Sequence, residues 1–284
     1  MTVLIAGCGD LGTEAGLRFA AAGFSVLGWR RSADKIPAPL AGQAADLTGE
    51  LPRIPADTDV VVIAVAAGRR TEEAYRAAYV DGTANVLNAL ERDGVHPRRI
   101  LFVSSTAVYG DAGGGWVDEG TAPAPATVTG AVILEAEALL HARRPDAVVL
   151  RLSGIYGPGR TRLIDSVTGG TAVVPARPQL TNRIHRDDAA AAIVHLMTQV
   201  HAPAPLYLGV DDEPVDLAEV LRFLAAELGR ELPAAPEESS TESSRGGDRR
   251  LSNARLRGTG FEFAYPTFRE GYRAVLAGDG IRHP

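Results

Sequence analysis

Three glycines near the start of the chain are spaced as in loops that bind the phosphates of a dinucleotide. Gly7, Gly9 and Gly12 form the pattern G-x-G-x-x-G within the segment GCGDLG. The first glycine permits a tight turn, the second lets the backbone approach a pyrophosphate, and the third lets the following helix pack closely. Because the N-terminal amides of that helix would face the anion, the predicted cofactor site also includes Asp10 and Leu11.

The end of the second predicted strand indicates which dinucleotide the site prefers. An Asp or Glu at this point would hold the 2′-hydroxyl of the NAD ribose. The chain has Arg30 and Arg31 there instead, and guanidinium groups pair with phosphate through two parallel hydrogen bonds. We therefore predict NADP as the cofactor, with NAD as the second choice, while two solvated arginines at a strand end are the alternative explanation. Asp46 and Leu47 are predicted to flank the adenine.

Short apolar runs that alternate with amphipathic stretches would position these residues. The runs are continuously apolar rather than alternating, which is typical of parallel strands buried on both faces. The predicted strands are Thr2–Ala6, Ser25–Trp29, Val60–Ala67, Ile100–Ser104, Ala147–Leu152 and Leu206–Val210. The predicted helices are Leu11–Ala22, Thr71–Asp93, Thr127–Ala142, His185–Gln199 and Asp216–Leu228. This order predicts an α/β fold with a Rossmann-like doubly wound parallel sheet.

The alternation of strands and helices breaks after residue 157, where proline and glycine become more frequent. We predict that residues 1–157 and 185–211 form the dinucleotide-binding domain. Residues 158–184 and 212–284 are then expected to form a smaller domain that covers the substrate. The stretch 233–250, PAAPEESSTESSRGGDRR, is polar, and we expect a mobile loop there.

The composition excludes several classes of protein and site. The 284 residues carry 35 acidic and 29 basic side chains and no basic block, which argues against nucleic-acid binding. No apolar run approaches the roughly 18 residues that a membrane span requires. Cys8 is the only cysteine, and the histidines have no metal-ligand spacing, so we expect neither a disulfide nor a metal site. The expectation is a cytoplasmic protein that binds a small-molecule substrate.

Several long motifs follow one another along the chain. After GCGDLG come VSSTAVYG at 103–110, RLSGIYGPG at 151–159 and NRIHRDDAA at 182–190. With these motifs the chain resembles the extended short-chain dehydrogenase/reductases, the NAD-dependent epimerase/dehydratase family. The resemblance implies a Rossmann-like domain and a smaller domain over a nucleotide-sugar or related carbonyl substrate. It also implies hydride transfer assisted by a Ser or Thr and by a Tyr-x-x-x-Lys pair.

The Tyr-x-x-x-Lys pair of the family is missing from this chain. The matching positions are Thr129 and Ile133, and no tyrosine or lysine occurs between Gly110 and Arg151. The only lysine, Lys35, lies just beyond the second predicted strand, at the adenosine end of the expected cofactor. The resemblance therefore indicates an atypical member whose usual acid/base is absent.

Three hydroxyl side chains remain as candidates for proton transfer. Ser105 occupies the family's Ser/Thr position, although a strand-end serine that bonds the backbone explains it equally well. Tyr109 lies near the same strand end and is more often a packing residue in the family, and Thr129 stands at the tyrosine position. A further departure is Tyr79, where the family has an asparagine. By resemblance the cofactor also contacts Ala66, Ala67, Ser104, Gly154 and Ile155, and the substrate contacts Tyr156 and Arg183.

Two functions remain open. The first is an NAD(P)-binding epimerase/dehydratase-like oxidoreductase that acts on a carbonyl or sugar-nucleotide-like substrate with a non-standard proton donor. The second is a non-catalytic NADP(H)-binding sensor or regulatory protein, which would explain why the catalytic pair is missing while the cofactor elements are present. We favour the enzyme because the RLSGIYGPG segment and the C-terminal domain would serve a substrate cleft. By resemblance, the helices Thr71–Asp93 and Thr127–Ala142 could form a homodimer.

Overall fold

A seven-stranded parallel sheet forms the centre of the protein. The computed structural model describes residues 1–232 and 247–284. Its strands are β1 (Thr2–Ala6), β2 (Ser25–Arg30), β3 (Ala41–Ala44), β4 (Thr58–Ile63), β5 (Arg99–Ser105), β6 (Trp116–Val117), β7 (Val148–Leu152), β8 (Gly154–Tyr156), β9 (Leu180–Thr181), β10 (Arg183–His185), β11 (Leu206–Gly209), β12 (Val215–Asp216) and β13 (Arg250–Leu251). The order in the central sheet is β3-β2-β1-β4-β5-β7-β11. The strand order changes direction between β1 and β4, which is the switch point of a doubly wound fold.

Helices cover both faces of this sheet. They are α1 (Asp10–Ala21), α2 (Glu72–Tyr75), α3 (Gly82–Asp93), α4 (Val128–Arg143), α5 (Arg162–Thr168), α6 (Arg186–Thr198), α7 (Leu217–Leu228), α8 (Ala254–Arg257) and α9 (Phe268–Ala277). A π-helical turn, Arg76–Asp81, joins α2 to α3. On one face α1 and α6 pack through Phe19 and Ile193. On the other face α3 and α4 pack through Val86 and Leu140.

The fold class predicted from the sequence is confirmed, and most predicted elements lie within a few residues of their observed bounds. The predictions missed β3, an edge strand that pairs in parallel with β2 and is largely exposed. Because β3 covers no core, its sequence AGQA lacks the apolar run that marks the other strands. The third predicted strand ends at Ile63 rather than Ala67, so Ala64–Ala67 leaves the sheet at its carboxyl edge.

A smaller unit built from α5, α7 and α9 packs beside the sheet. Its core contains Ile164, Leu221, Leu224 and Phe268. Short paired strands, β8 with β10 and β9 with β12, lie between this unit and the sheet. The predicted division into residues 1–157 with 185–211 and 158–184 with 212–284 remains a prediction.

The loop predicted at 233–250 needs correction in its last four residues. Residues 233–246 lie outside the described residues, but residues 247–250 pack against the rest of the chain. Arg249 is buried and donates hydrogen bonds to the carbonyl oxygens of Thr106 and Gly110, at 2.8 and 2.9 Å. The next residue begins β13, which pairs in parallel with β6. The sequence does not distinguish Arg249 from the other charged residues of this polar stretch, because its partners are backbone carbonyl groups far away in the sequence.

The described residues contain neither a membrane-spanning helix nor a group of metal ligands. No helix of residues 1–232 or 247–284 is long and apolar enough to cross a membrane. In those residues no three His, Cys, Asp or Glu side chains are grouped so that they could hold a metal ion. Cys8 is a buried free thiol whose sulfur fills the space beside Gly28.

Candidate cofactor and active site

A cavity of about 330 Å³ lies at the carboxyl ends of β1, β4, β5 and β7. Ligands of doubly wound sheets bind in the crevice at this edge, beside the switch point. The lining residues are Gly9, Asp10, Leu11, Gly12, Ala64, Val65, Ala66, Tyr79, Val103, Ser104, Ser105, Leu152, Ser153, Ile155 and Arg160. The cavity therefore joins the glycine loop to the serines at the end of β5.

The three glycines of the loop have different surroundings, and each fits its predicted role. Gly7 has a φ of +91°, and a Cβ there would lie 2.6 Å from the carbonyl oxygen of Ala64. At Gly12 a Cβ would lie 2.8 Å from the carbonyl oxygen of Gly7, so the helix and strand could not pack as closely. A Cβ on Gly9 would meet nothing within 4 Å, since this residue faces the cavity. This free space is what a closely approaching pyrophosphate requires.

The start of α1 offers unpaired backbone donors to the cavity. Gly9 is the N-cap residue and no side chain caps the helix. The first amides of a helix have no intrahelical acceptor, and they attract anions together with the helix dipole. Asp10, Leu11 and Gly12 line the cavity at this point. The predicted phosphate-binding residues are thus brought together by β1 and α1.

Asp10 would repel a phosphate if its charge were not compensated. Its two carboxylate oxygens accept hydrogen bonds from Arg160 at 2.8 Å and from Arg186 at 2.9 Å. Arg186 is only 1% exposed, and Arg160 lines the cavity. Sequence reasoning missed Arg160, because 150 residues separate it from Asp10 and nothing in its own motif marks the contact.

The predicted adenosine end of the site lies at the end of β2. Arg30 is half-buried and its Nη1 donates to the main-chain oxygen of Pro284 at 2.6 Å. Arg31 and Asp46 are exposed. Two hydrogen bonds from Thr48 lower the pKa of Asp46, and the charge of Arg31 nearby lowers this pKa further. The predicted adenosine-binding residues on β2 and after β3 are therefore neighbours.

Leu47 and two other predicted cofactor residues lie at the margins of the site. Leu47 is half-buried, and its carbonyl oxygen accepts a hydrogen bond from Asn85 at 2.9 Å. Ala67 follows the lining residue Ala66, and Gly154 precedes the lining residue Ile155. Ala66, Ser104 and Ile155 line the cavity together with four residues of the glycine loop, so half of the expected cofactor positions surround one space.

Two serines at the end of β5 lie at the other end of the cavity. The Ser105 hydroxyl accepts a hydrogen bond from the Ala107 amide at 3.2 Å and lines the cavity. Ser104 donates its hydroxyl proton to Glu137. Glu137 and Arg151, 5% and 4% exposed, form a buried ion pair, with Arg151 Nη2 2.6 Å from the carboxylate. Ser104 is thereby bound to this ion pair, whereas Ser105 still has its own proton to donate.

The other two candidates for proton transfer do not line the cavity. The Thr129 hydroxyl oxygen lies 3.2 Å from that of Thr127. The Tyr109 hydroxyl donates to the carbonyl oxygen of Asp118 at 3.0 Å, and burial raises the pKa of Tyr109. Ile133, at the family's lysine position, is 3% exposed and packs in an apolar cluster with Tyr109. Of the three predicted hydroxyl groups, the structure brings only Ser105 to the cavity.

Tyr79 is a residue of the cavity that sequence reasoning did not propose as catalytic. It stands on the π-helical turn between α2 and α3 and its ring stacks on Tyr75, with ring centroids 5.4 Å apart. Burial raises the pKa of Tyr79 to about 12, so its phenol is protonated at neutral pH. The departure from the family's asparagine was the only signal in the sequence. A π turn shifts side chains around the helix, which a 3.6-residue period does not predict.

The two predicted substrate-binding residues are buried away from the cavity. Tyr156 packs on Tyr272 with ring centroids 4.5 Å apart. Arg183 lies over the ring of Phe268, and its Nη2 donates to the hydroxyl of Thr181 at 2.6 Å. Neither side chain is among those that line the two cavities at this edge of the sheet.

A second cavity of about 570 Å³ adjoins the first. Ile155 and Arg160 line both cavities. The remaining lining residues are Gly159, Thr161, Arg162, Asp165, Ser166 and Thr171. This space lies between the sheet and the smaller unit, beside the cavity of the glycine loop.

Comparison with known families decides the assignment. A sequence model of the NAD dependent epimerase/dehydratase family matches residues 3–207, which include the glycine loop and the strands that form the cavity. The chain belongs to this family. The resemblance inferred from its motifs is confirmed.

Relatives extend over most of the chain. Protein YeeZ of Escherichia coli strain K12 is 33% identical over 211 residues, which are 69% of this chain and 72% of YeeZ. A solved structure from Methylobacillus flagellatus, classed as an NAD-dependent epimerase/dehydratase, is 39% identical over 98% of both chains, with a TM-score of 0.79. UDP-glucuronic acid 4-epimerase from Bacillus cereus, solved with UDP-glucuronic acid and NAD, shares the fold. Its identity is 18%, its TM-score is 0.77, and the match covers 96% of this chain and 97% of that one.

Proposed function

We propose that this protein is an NADP-dependent oxidoreductase of the epimerase/dehydratase type that acts on a carbonyl or sugar-nucleotide-like substrate. One observation carries the proposal: a single cavity joins the open backbone at Gly9 to the hydroxyl-bearing side chains of Ser105 and Tyr79. The same cavity would therefore hold the phosphates of the dinucleotide at one end and the proton-donating hydroxyl groups at the other. Membership of an NAD dependent family supports the same reading.

The residues of the site fit a nicotinamide dinucleotide. Gly9 leaves the space that a pyrophosphate needs, and the first amides of α1 would bind its oxygens. Arg30 and Arg31 would hold a 2′-phosphate at the end of β2, which favours NADP over NAD. When bound, the nicotinamide supplies hydride transfer.

Proton transfer is assigned to Ser105 and Tyr79. Both hydroxyl groups can donate a hydrogen bond to a substrate oxygen, and burial, which raises the pKa of Tyr79 to about 12, keeps its phenol protonated. The family's lysine would lower a tyrosine pKa, but Ile133 is apolar and cannot. We therefore expect that carbonyl reduction by NADPH is easier to detect at neutral pH than alcohol oxidation by NADP, because the hydroxyl groups are protonated there. Loss of a tuned acid/base costs about 10²–10⁴ in rate.

The adjoining cavity is proposed to hold the substrate. It is lined by the hydroxyl groups of Thr161 and Ser166, which donate to Asp165 and Leu163 and can still accept hydrogen bonds, and by the guanidinium group of Arg162. This lining suits a ligand with hydroxyl groups and an anionic group, as a sugar nucleotide has. The UDP-glucuronic acid bound by the Bacillus cereus epimerase supports this class as a proposal for the present chain.

A non-catalytic NADP(H)-binding protein is the second candidate, favoured by the burial of Ile133 among apolar side chains where the family has its lysine. One experiment separates the two functions. NADPH and NADH are titrated by fluorescence, and NADPH oxidation is then followed by absorbance with a panel of carbonyl compounds and nucleotide sugars. Turnover supports the enzyme, and tight NADPH binding without turnover supports the sensor. If neither dinucleotide binds, both functions are refuted.

We also propose that two copies associate through α3 and α4 and that the protein acts in the cytoplasm. Family resemblance supports the first proposal, and the lack of a membrane-spanning helix in the described residues is consistent with the second. Light scattering of the purified protein tests the dimer: a mass of one chain would refute it. Fractionation of cells tests the compartment.

A further inference from the structure

The residues after α9 leave the smaller unit and run beside the start of α1. We call Ile281–Pro284 the tail. The backbone amide of His283 donates to Asp10 Oδ1 at 3.2 Å. Its side-chain Nε2 lies 2.9 Å from Glu14 Oε2. The tail is thereby placed along the first two turns of the helix that follows the glycine loop.

Two further hydrogen bonds fix the tail, one from Arg186 to the tail and one from Arg282 of the tail itself. Arg186 donates through Nη2 to the carbonyl oxygen of Ile281 at 2.9 Å, while its Nη1 bonds Asp10. Arg282 donates through Nη1 to the carbonyl oxygen of Gly159 at 2.8 Å. Because the imidazole of His283 is also buried, the tail has a defined position next to the cofactor site.

Pro284 of the tail contacts the side chain that is proposed to recognise the 2′-phosphate. Arg30 Nη1 donates to the main-chain oxygen of Pro284 at 2.6 Å. A guanidinium group binds phosphate best through two parallel N–H donors, and one donor of Arg30 is directed to the tail. A 2′-phosphate that uses Nη1 would therefore compete with the Pro284 oxygen for this nitrogen.

We propose that the tail determines cofactor selectivity by occupying Arg30 until a 2′-phosphate displaces it. Pairing of the 2′-phosphate with Nη1 of Arg30 releases the Pro284 oxygen, whereas NAD has no phosphate at this position and leaves the tail in place. The tail thus lowers the preference for NADP that Arg30 would otherwise give. This inference rests on the proposed dinucleotide site.

The full-length variant Arg282→Ala/His283→Ala tests the proposal because it removes two side-chain anchors of the tail. Release of the tail frees one hydrogen-bond donor of the Arg30 guanidinium group for the 2′-phosphate, so the affinity for NADPH should rise about tenfold. The affinity for NADH should stay unchanged. Ile281→Ala is the matched control, because this side chain is 74% exposed and its removal leaves the anchors intact.

Hydrogen exchange of the wild-type protein provides a second readout that needs no substitution. NADP should speed the exchange of the His283 amide, whose hydrogen bond to Asp10 is lost when the tail leaves, and NAD should not. Slower exchange with NADP would mean that the tail closes over the cofactor and would overturn the inference. It is also overturned if the double variant binds NADPH no more tightly than the wild type.

Failure of the inference can be told from failure of the proposed function. If dinucleotides bind but neither the affinity ratio nor the exchange of the tail responds, only the role of the tail is refuted. If neither dinucleotide binds to the wild type or to either variant, the dinucleotide site itself is refuted and the inference with it.

Discussion

Replacing Gly9 by alanine should weaken dinucleotide binding without unfolding the protein. Gly9 has φ −86° and ψ −157°, an extended conformation that any residue adopts. A Cβ there would meet no atom within 4 Å, so the folded state has room for the methyl group. Replacement of a glycine at such a position restricts the unfolded chain and adds about 0.4–1 kcal/mol of stability. Alanine is less favourable than glycine at an N-cap, which offsets this gain, so the melting temperature of Gly9→Ala should stay close to that of the wild type.

Binding of NADPH, by contrast, should weaken. The methyl group would stand where a pyrophosphate must approach the first amides of α1. Loss of one or two hydrogen bonds to a charged group, at about 1.5–3 kcal/mol each, corresponds to roughly a hundredfold weaker binding of NADPH. Fluorescence titration of NADPH measures the affinity, and circular dichroism during heating measures the stability.

Gly7→Ala is the matched control within the same loop. Its φ of +91° strains any side chain, and its Cβ would lie 2.6 Å from the carbonyl oxygen of Ala64. The conformation alone costs about 1–2 kcal/mol, and the close contact adds to this cost. Gly7→Ala should lose stability and binding together, whereas Gly9→Ala should lose binding alone. Wild-type affinity for NADPH in Gly9→Ala would show that no pyrophosphate lies over this loop and would refute the assignment of the cavity.

Three further predictions concern buried polar groups. Glu137→Gln should destabilise the protein by about 3–5 kcal/mol in urea unfolding, because Arg151 keeps a buried charge without its counter-ion. Glu135→Gln, in an exposed ion pair on the same helix, should move the unfolding midpoint little. Burial lowers the pKa of His185 from 6.5 to about 4. The neutral imidazole therefore contributes fully to the free energy of unfolding above pH 6.5, and this contribution is lost as the pH falls towards 4. His185→Asn should reduce the dependence of the free energy of unfolding on pH in this range. Tyr79→Phe should leave NADPH binding unchanged and lower carbonyl turnover about 10²-fold, and unchanged turnover would remove Tyr79 from the mechanism.

The fold could be predicted because its main determinants are local in the sequence. Continuous apolar runs mark strands buried on both faces, and the glycine spacing of GCGDLG follows directly from β1. The strand β3 could not be predicted in the same way, since an exposed edge strand is defined by its hydrogen bonds to β2 and not by its own apolar residues.

For a related reason, some residues of the candidate site could be predicted from the sequence and others could not. The residues of the glycine loop and Ser105 line the cavity because the carboxyl ends of parallel strands place them at one edge. The partnership of Arg160 with Asp10 depends on the path of the chain between β8 and α5, which no local pattern reveals. Tyr156 lies in a family motif, yet its side chain packs into the core of the smaller unit. A motif gives the position of a residue along the chain, whereas the direction of its side chain depends on packing.

The motifs predict that Ile133 stands where the family has its catalytic lysine, and the surroundings of Ile133 would not suit a lysine. Ile133 is packed among apolar side chains, and Glu137, one turn further along α4, already pairs with Arg151. A lysine at position 133 would therefore be buried without a free counter-ion, at a cost that the apolar side chain avoids. Since only one of the 29 basic residues is a lysine, a bias against lysine would have placed an arginine there rather than isoleucine. In the proposed function the proton donor is therefore a group that needs no neighbouring lysine. The hydroxyl groups of Ser105 and Tyr79 meet this condition, because a hydroxyl group donates a hydrogen bond without first losing its proton.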